Sequence, residues 1–223
     1  MVTVVSVPGN SKILAPSILA WDSCFIADGV KIIEKFSAKW LHIDVMDGMF
    51  VPAITFGQGL VSDLRRITKL FLDVHLMVQT PHTLAKSFVD AGADMVTFHL
   101  ESVSPVEEVL GYVKTSHCKV AIAINPGTSV SAIEKYLPNL DAVLVMAVEP
   151  GRCGQKFLSS VCEKIRTLVA LRKESGLSYK ISVDGGIAIE TLGLVSDADV
   201  FVSGSAFFSD PHRFADFFRR RFG

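Results

Sequence analysis

Trp40-Leu41-His42-Ile43-Asp44-Val45-Met46, closed by Asp47-Gly48, is the stretch on which the fold turns. Its length and its Val and Ile content suit a strand, and the following Gly ends it. A period of two puts Leu41, Ile43 and Val45 on one face and His42, Asp44 and Met46 on the other. Runs of the same kind recur at Ile13–Leu19, Phe71–Met77, Met95–His99, Val120–Ile124, Ala142–Met146, Lys180–Asp184 and Val200–Ser203. Amphipathic segments such as Leu158–Lys173 and His212–Arg221 lie between or after them, and Pro81 and Pro105 stand where a first helical turn accepts proline. Eight strand–helix units at a spacing of about 27 residues, with no Pro/Gly/Ser linker between them, predict a single-domain α/β protein, a (β/α)8 TIM barrel. An open doubly wound sheet is the runner-up, but no GxGxxG follows the first strand. The barrel is assigned to residues 12–223, preceded by an N-terminal extension, 1–11.

Composition narrows the function classes. The chain has 223 residues, 49% hydrophobic, with a formal net charge of -1, which lacks the basic excess of a nucleic-acid surface. The mean hydropathy of +0.41 is high, yet the longest apolar run, Ala142–Val148, is far short of the ~18 residues that span a bilayer. Strands buried on both faces of a parallel sheet account for it. Cys24, Cys118, Cys153 and Cys162 form no CxxC pair and read as free thiols in a reducing compartment. Residues 1–10 carry no targeting pattern, so a cytoplasmic enzyme without nucleic-acid or membrane partners is expected.

In a barrel of this kind the chemistry sits at the C-terminal ends of the strands. There the sequence offers Ser17, His42, Asp44, His75 and Asp184. One histidine on an apolar strand is ordinarily a satisfied core residue, but two His and two Asp on three strands are costly to bury unpaired. If they converge, an N2O2 set suits one divalent ion (Zn²⁺ first, or Fe²⁺, Mn²⁺ or Co²⁺). Gly185-Gly186 and Gly204-Ser205 follow strands seven and eight, where backbone N–H groups in this fold take a phosphate, so a phosphorylated sugar is the expected ligand. Met46, Met77 and Met146 share the inner rim, as core filling or as an apolar cap that keeps water from a carbanion-like intermediate.

Leu14-Ala15-Pro16-Ser17-Ile18-Leu19, His42-Ile43-Asp44-Val45-Met46-Asp47-Gly48, Phe50-Val51-Pro52, His75-Leu76-Met77-Val78, Val148-Glu149-Pro150-Gly151, Gly154-Gln155-Lys156-Phe157, Val183-Asp184-Gly185-Gly186-Ile187 and Val202-Ser203-Gly204-Ser205 together resemble the ribulose-phosphate 3-epimerase family. The resemblance runs from about Ile13 to the last helix. It implies a metal-dependent isomerase that interconverts D-ribulose 5-phosphate and D-xylulose 5-phosphate at C3 through a 2,3-enediolate, in the pentose phosphate pathway. It implies His42, Asp44, His75 and Asp184 as metal ligands, Asp44 as proton acceptor and Asp184 as proton donor. Ser17 and His75 would meet the substrate, and Gly151, Arg152, Cys153, Gly154, Gly185, Gly186, Gly204 and Ser205 its phosphate end. No organic cofactor is implied, and a homo-oligomer is.

Two stretches depart from the family pattern. Gly151-Arg152-Cys153-Gly154 stands where Gly-Phe-x-Gly is usual, and Met49 and Ala53 replace a His and an Asn. Arg152 either pairs with phosphate or extends into solvent. His99 and Glu101 read as structural or supporting groups, His82, His117 and His212 as surface residues, and Arg219-Arg220-Arg221 as the solvated end of the last helix. The alternatives are allulose-6-phosphate 3-epimerase, with the same ionisable set but a longer sugar, and a sugar-phosphate-binding barrel without turnover.

Overall fold

The computed structural model describes residues 12–36, 38–151 and 154–223. Eight parallel strands form one sheet: β1 Ile13–Pro16, β2 Trp40–Met46, β3 Phe71–Met77, β4 Met95–His99, β5 Lys119–Ile124, β6 Ala142–Met146, β7 Lys180–Asp184 and β8 Val200–Ser203. Each pairs with the next in sequence from β2 to β8, β8 pairs with β1, and a parallel bridge from Ser17 to His42 joins β1 to β2. The ring is closed, which makes this a (β/α)8 barrel. The α-helices are α1 Ile26–Lys35, α2 Gln58–Ile67, α3 Pro81–Asp90, α4 Val106–Lys114, α5 Val161–Glu174, α6 Ser205–Ser209 and α7 Pro211–Phe222.

The covering layer is less regular than eight equal units. Between β5 and β6 lie only 3₁₀ turns, Val130–Ala132 and Glu134–Asn139; Pro138 inside the second lacks the N–H an α-helix needs. Residues 187–199, between β7 and β8, form turns without a helix. The first strand stops at Pro16 rather than Leu19, because the Ser17 hydroxyl accepts the Leu19 N–H and caps a 3₁₀ turn at Ile18–Ala20. Helix α5 begins at Val161, not Leu158, whose N–H is spent on the Ala147 carbonyl. Pro81 is helical, as its position in the first turn predicts, whereas Pro105 has ψ 110° and stands just outside α4 as its cap residue.

The two faces of each strand separate two cores. Leu41, Ile43, Val45, Leu72, Val74 and Leu76 pack outward against the helices, while Ile13, Ala15, Trp40, Met95, Ala121, Ala142, Val200 and Val202 fill the barrel floor. There Trp40 stacks on Phe71 at 4.2 Å, and Ala15, Ala121 and Ala142 leave room for them. The inward positions above that floor are where the polar residues fall, so the apolar plug sets the depth of the site.

Candidate active site

Strand register brings the ionisable groups together. His42 lies beside Asp73, Asp44 beside His75 and Met46 beside Met77 across the β2–β3 pair, while Asp184 lies beside Met146 and Val202. One ligand atom from each of His42, Asp44, His75 and Asp184 lies within 4.8 Å of the others. His42 and His75 are fully buried, with the Asp44 carboxylate between them: its Oδ1 is 3.2 Å from His42 Nε2 and 3.0 Å from His75 Nδ1. The Ser17 hydroxyl donates to Asp44 Oδ2 at 2.6 Å, and the Thr55 hydroxyl donates to the Asp44 carbonyl at 2.6 Å.

The electrostatics divide the two aspartates. Burial would raise Asp44, but the charges and hydrogen bonds of His42 and His75 outweigh it and hold the carboxyl well below its usual range. Asp184 is pushed up to about 7, first by burial and then by the Asp44 charge. Asp44 is therefore ionised at neutral pH while Asp184 is balanced between acid and base. For His42, burial opposes protonation, yet Asp44 and Asp73 raise it well above the ordinary imidazole range. His75 is lowered, chiefly by burial.

A cavity of about 550 Å³ opens above this cluster. Ser17, Asp44, Met46, Met77, Met146, Gly151, Gly154, Asp184, Gly185, Gly186, Gly204 and Ser205 all line it, whereas His42 and His75 stand behind its wall. These strand-end residues thus lie around one cavity, and Met46 and Met77 pack with Val51, Leu19, Phe50 and Ala53. The expectations for Arg152, Cys153 and the 1–11 extension fall outside the described residues. Gly185 and Gly186 have φ +106° and +62°. A Cβ on Gly186 would lie 2.7 Å from the Phe157 nitrogen and 2.9 Å from its Cα, so the turn after β7 lies tight against the loop after β6.

Several residues escape the sequence reading. Asp73 accepts from His42 Nδ1 at 2.8 Å and from the Thr97 hydroxyl at 3.0 Å, fixing which nitrogen of His42 faces the site. Its parity with His75 and Met77 was the available signal. Asp47 is not a reacting group: it accepts the Met49, Phe50 and Gln79 N–H groups and ties the loop after β2 to that after β3. Lys156 lines the cavity. His99 touches His75, Nε2 to Nε2 at 2.8 Å; burial pushes it down to about 4, so its ring is neutral at pH 7. His117, His212 and Arg219–Arg221 are exposed, as expected of surface groups, and His82 is half-buried against Ser104.

The donor set fits a divalent ion. Two imidazole nitrogens and two carboxylate oxygens meet at one point, with the hydrogen bond from His42 Nδ1 to Asp73 turning His42 Nε2 toward it. Asp184 is raised first by burial and then by the Asp44 charge beside it, and a divalent cation between the two carboxylates would relieve both costs.

A closed parallel barrel with a metal-type His/Asp cluster under a glycine-rimmed cavity at its strand ends is the arrangement of a (β/α)8 barrel enzyme. The ribulose-phosphate 3 epimerase family profile matches residues 13–208. Ribulose-phosphate 3-epimerase of Treponema pallidum is 46% identical over 206 residues, 92% of this chain and 94% of that protein. The Bacillus subtilis protein of the same name is 40% identical, over 90% of this chain and 94% of its own. The chain belongs to the ribulose-phosphate 3-epimerase family and is an isomerase of that class. Among solved structures, 3-keto-L-gulonate-6-phosphate decarboxylase from Vibrio cholerae superposes with a TM-score of 0.66 at 17% identity, over 96% of this chain and 99% of that one, a likeness of fold alone. Among the described residues no helix is long and apolar enough to cross a membrane.

Proposed function

We propose that this enzyme interconverts D-ribulose 5-phosphate and D-xylulose 5-phosphate at C3 through a 2,3-enediolate. The observation that carries the reading is the convergence of His42, Asp44, His75 and Asp184 at the foot of the cavity, with the two carboxylates in opposite protonation tendencies. Those four residues would hold one divalent cation, zinc first among Zn²⁺, Fe²⁺, Mn²⁺ and Co²⁺, and no organic cofactor enters. When bound, such a cation supplies Lewis-acid stabilisation of negative charge developing on the sugar oxygens.

The chain's own carboxylates move the proton. The C3 proton is acidified by the neighbouring C2 ketone. Asp44, held ionised and steadied by Ser17, removes it from one face, and Asp184, able to carry a proton at neutral pH, returns one to the other; the roles exchange in reverse. Met46, Met77 and Met146 exclude water from the reacting carbon. Gly151, Gly154, Gly185, Gly186, Gly204 and Ser205 take the phosphate end, joined by Arg152 and Cys153 in the loop after β6. The same reading makes residues 12–223 one catalytic domain of a cytoplasmic homo-oligomer that serves the pentose phosphate pathway, with 1–11 an extension.

NMR of the metal-assayed protein with D-ribulose 5-phosphate in D2O tests it. Deuterium at C3 together with D-xylulose 5-phosphate is expected, and Asp184→Asn should abolish the epimer while the fold survives. No exchange with any of the four metals overturns the pentose assignment, and turnover of D-allulose 6-phosphate instead would move it to the six-carbon sugar.

A further inference from the structure

We propose that His99 and Glu101 are a positioning pair that sets the tautomer of His75, so that its Nδ1 lone pair faces the metal position. The inference rests on the metal reading above and concerns residues that neither hold the ion nor touch the sugar.

Proton placement in this relay starts at Glu101. Glu101 accepts three hydrogen bonds: from the Asn125 N–H at 2.8 Å, from the Thr128 hydroxyl, and from His99 Nδ1 at 3.3 Å. Burial would raise its carboxyl, but those donors lower it to about 2, so it is an acceptor only. His99 must then carry its proton on Nδ1, which leaves Nε2 bare. That bare nitrogen is 2.8 Å from His75 Nε2, and the two rings lie within 27° of coplanar, as an in-plane N–H···N bond requires. His75 therefore donates through Nε2 and keeps Nδ1 as a lone pair, 3.0 Å from Asp44 Oδ1. His75 then places no proton of its own between those two acceptors, and a cation there would satisfy both.

His42 reaches the same end by the opposite nitrogen. Asp73 accepts the hydrogen bond from its Nδ1 directly, and Nε2 faces inward. A carboxylate alone orients one histidine, and a neutral histidine backed by a carboxylate orients the other. Ligand-supporting groups of this kind are worth ~10–100-fold in metal affinity.

Glu101→Gln is the sharp test, because it reverses the relay rather than removing it. The amide carbonyl can keep the Asn125 and Thr128 donors, which turns the amide NH2 toward His99 Nδ1. His99 then carries its proton on Nε2, and the His75 proton moves to Nδ1, the atom that must be bare. Metal affinity is read by competition between the purified protein and a chelator for Zn²⁺ at fixed pH. The ligand field is read from the visible absorption of the Co²⁺ form. Glu101→Gln and His99→Phe should each weaken Zn²⁺ binding at least 10-fold and alter the Co²⁺ spectrum. Thr128→Val, which loosens the same loop but leaves the Glu101–His99 bond, should stay within about twofold of the parent.

Parent-like affinity and spectrum in folded Glu101→Gln would overturn the positioning role while leaving the metal reading intact. Equal loss in Thr128→Val would overturn it too, by showing that loop rigidity alone matters. A parent protein that binds none of the four metals would overturn both readings together.

Discussion

Alanine at Gly186 probes the turn that the proposed phosphate site depends on, and Gly176 supplies an internal control. Both glycines sit in the left-handed region, at φ +62° and +64°. An L-residue there costs ~1–2 kcal/mol, and that part should be common to both variants. Their surroundings differ. A Cβ at Gly176 meets nothing within 4 Å, whereas at Gly186 it would lie 2.7 and 2.9 Å from backbone atoms of Phe157. Backbone cannot rotate out of the way as a side-chain tip can, so the loop after β6 must shift, and overpacking of this kind costs ~1–3 kcal/mol. Urea unfolding should thus show Gly176→Ala less stable by ~1–2 kcal/mol and Gly186→Ala by ~2–5 kcal/mol. Because Phe157 and Gly186 both line the cavity, steady-state assays should show KM for the sugar phosphate rising severalfold or more in Gly186→Ala with kcat far less affected, and no KM change in Gly176→Ala. Equal destabilisation of the two, or a Gly186→Ala enzyme with unchanged KM, would refute the claim that the β6 and β7 loops are locked together at the phosphate end.

Further outcomes follow from the core and the charges. Trp40→Ala, which empties the stacked floor of the barrel, should cost ~3–5 kcal/mol in urea unfolding, and a loss below 1 kcal/mol would mean the floor refills freely. The Glu101 carboxyl falls from its ordinary 4.5 to about 2 on folding, so its stabilisation is complete above pH 4.5 and drains away as pH drops toward 2. Glu101→Gln should accordingly flatten the decline of the urea midpoint across that window; an unchanged slope contradicts it. Cys118 is pushed up to about 12, chiefly by burial, while Cys24 is exposed, so iodoacetamide at pH 8 should label Cys24 and spare Cys118 until denaturant is added, as read by mass spectrometry. Equal labelling of the two would count against that burial.

Local chemistry made much of this legible beforehand. Strand parity in Trp40–Met46 and Phe71–Met77 depends only on backbone geometry, so the inward direction of His42, Asp44, His75 and Met77 could be read directly. At two breaks in the pattern a specific hydrogen bond was responsible. Ser17 left its strand to cap a turn while holding Asp44, and Leu158 was drawn from a helical pattern by the Ala147 carbonyl. The missing helix before β6 carries a visible reason, Pro138; the missing helix before β8 does not.

The sequence by itself determined the period of the fold, the face each ionisable residue takes and the family. Only the tertiary structure decided which nitrogen of each histidine faces the site and which carboxylate is held ionised. Those outcomes depend on neighbours far along the chain: Asp73 for His42, His99 and Glu101 for His75, and Asp44 against Asp184. Hydrogen bonds and charges act over a few ångströms of space, and closing the barrel is what brings strands two, three, four and seven within that range.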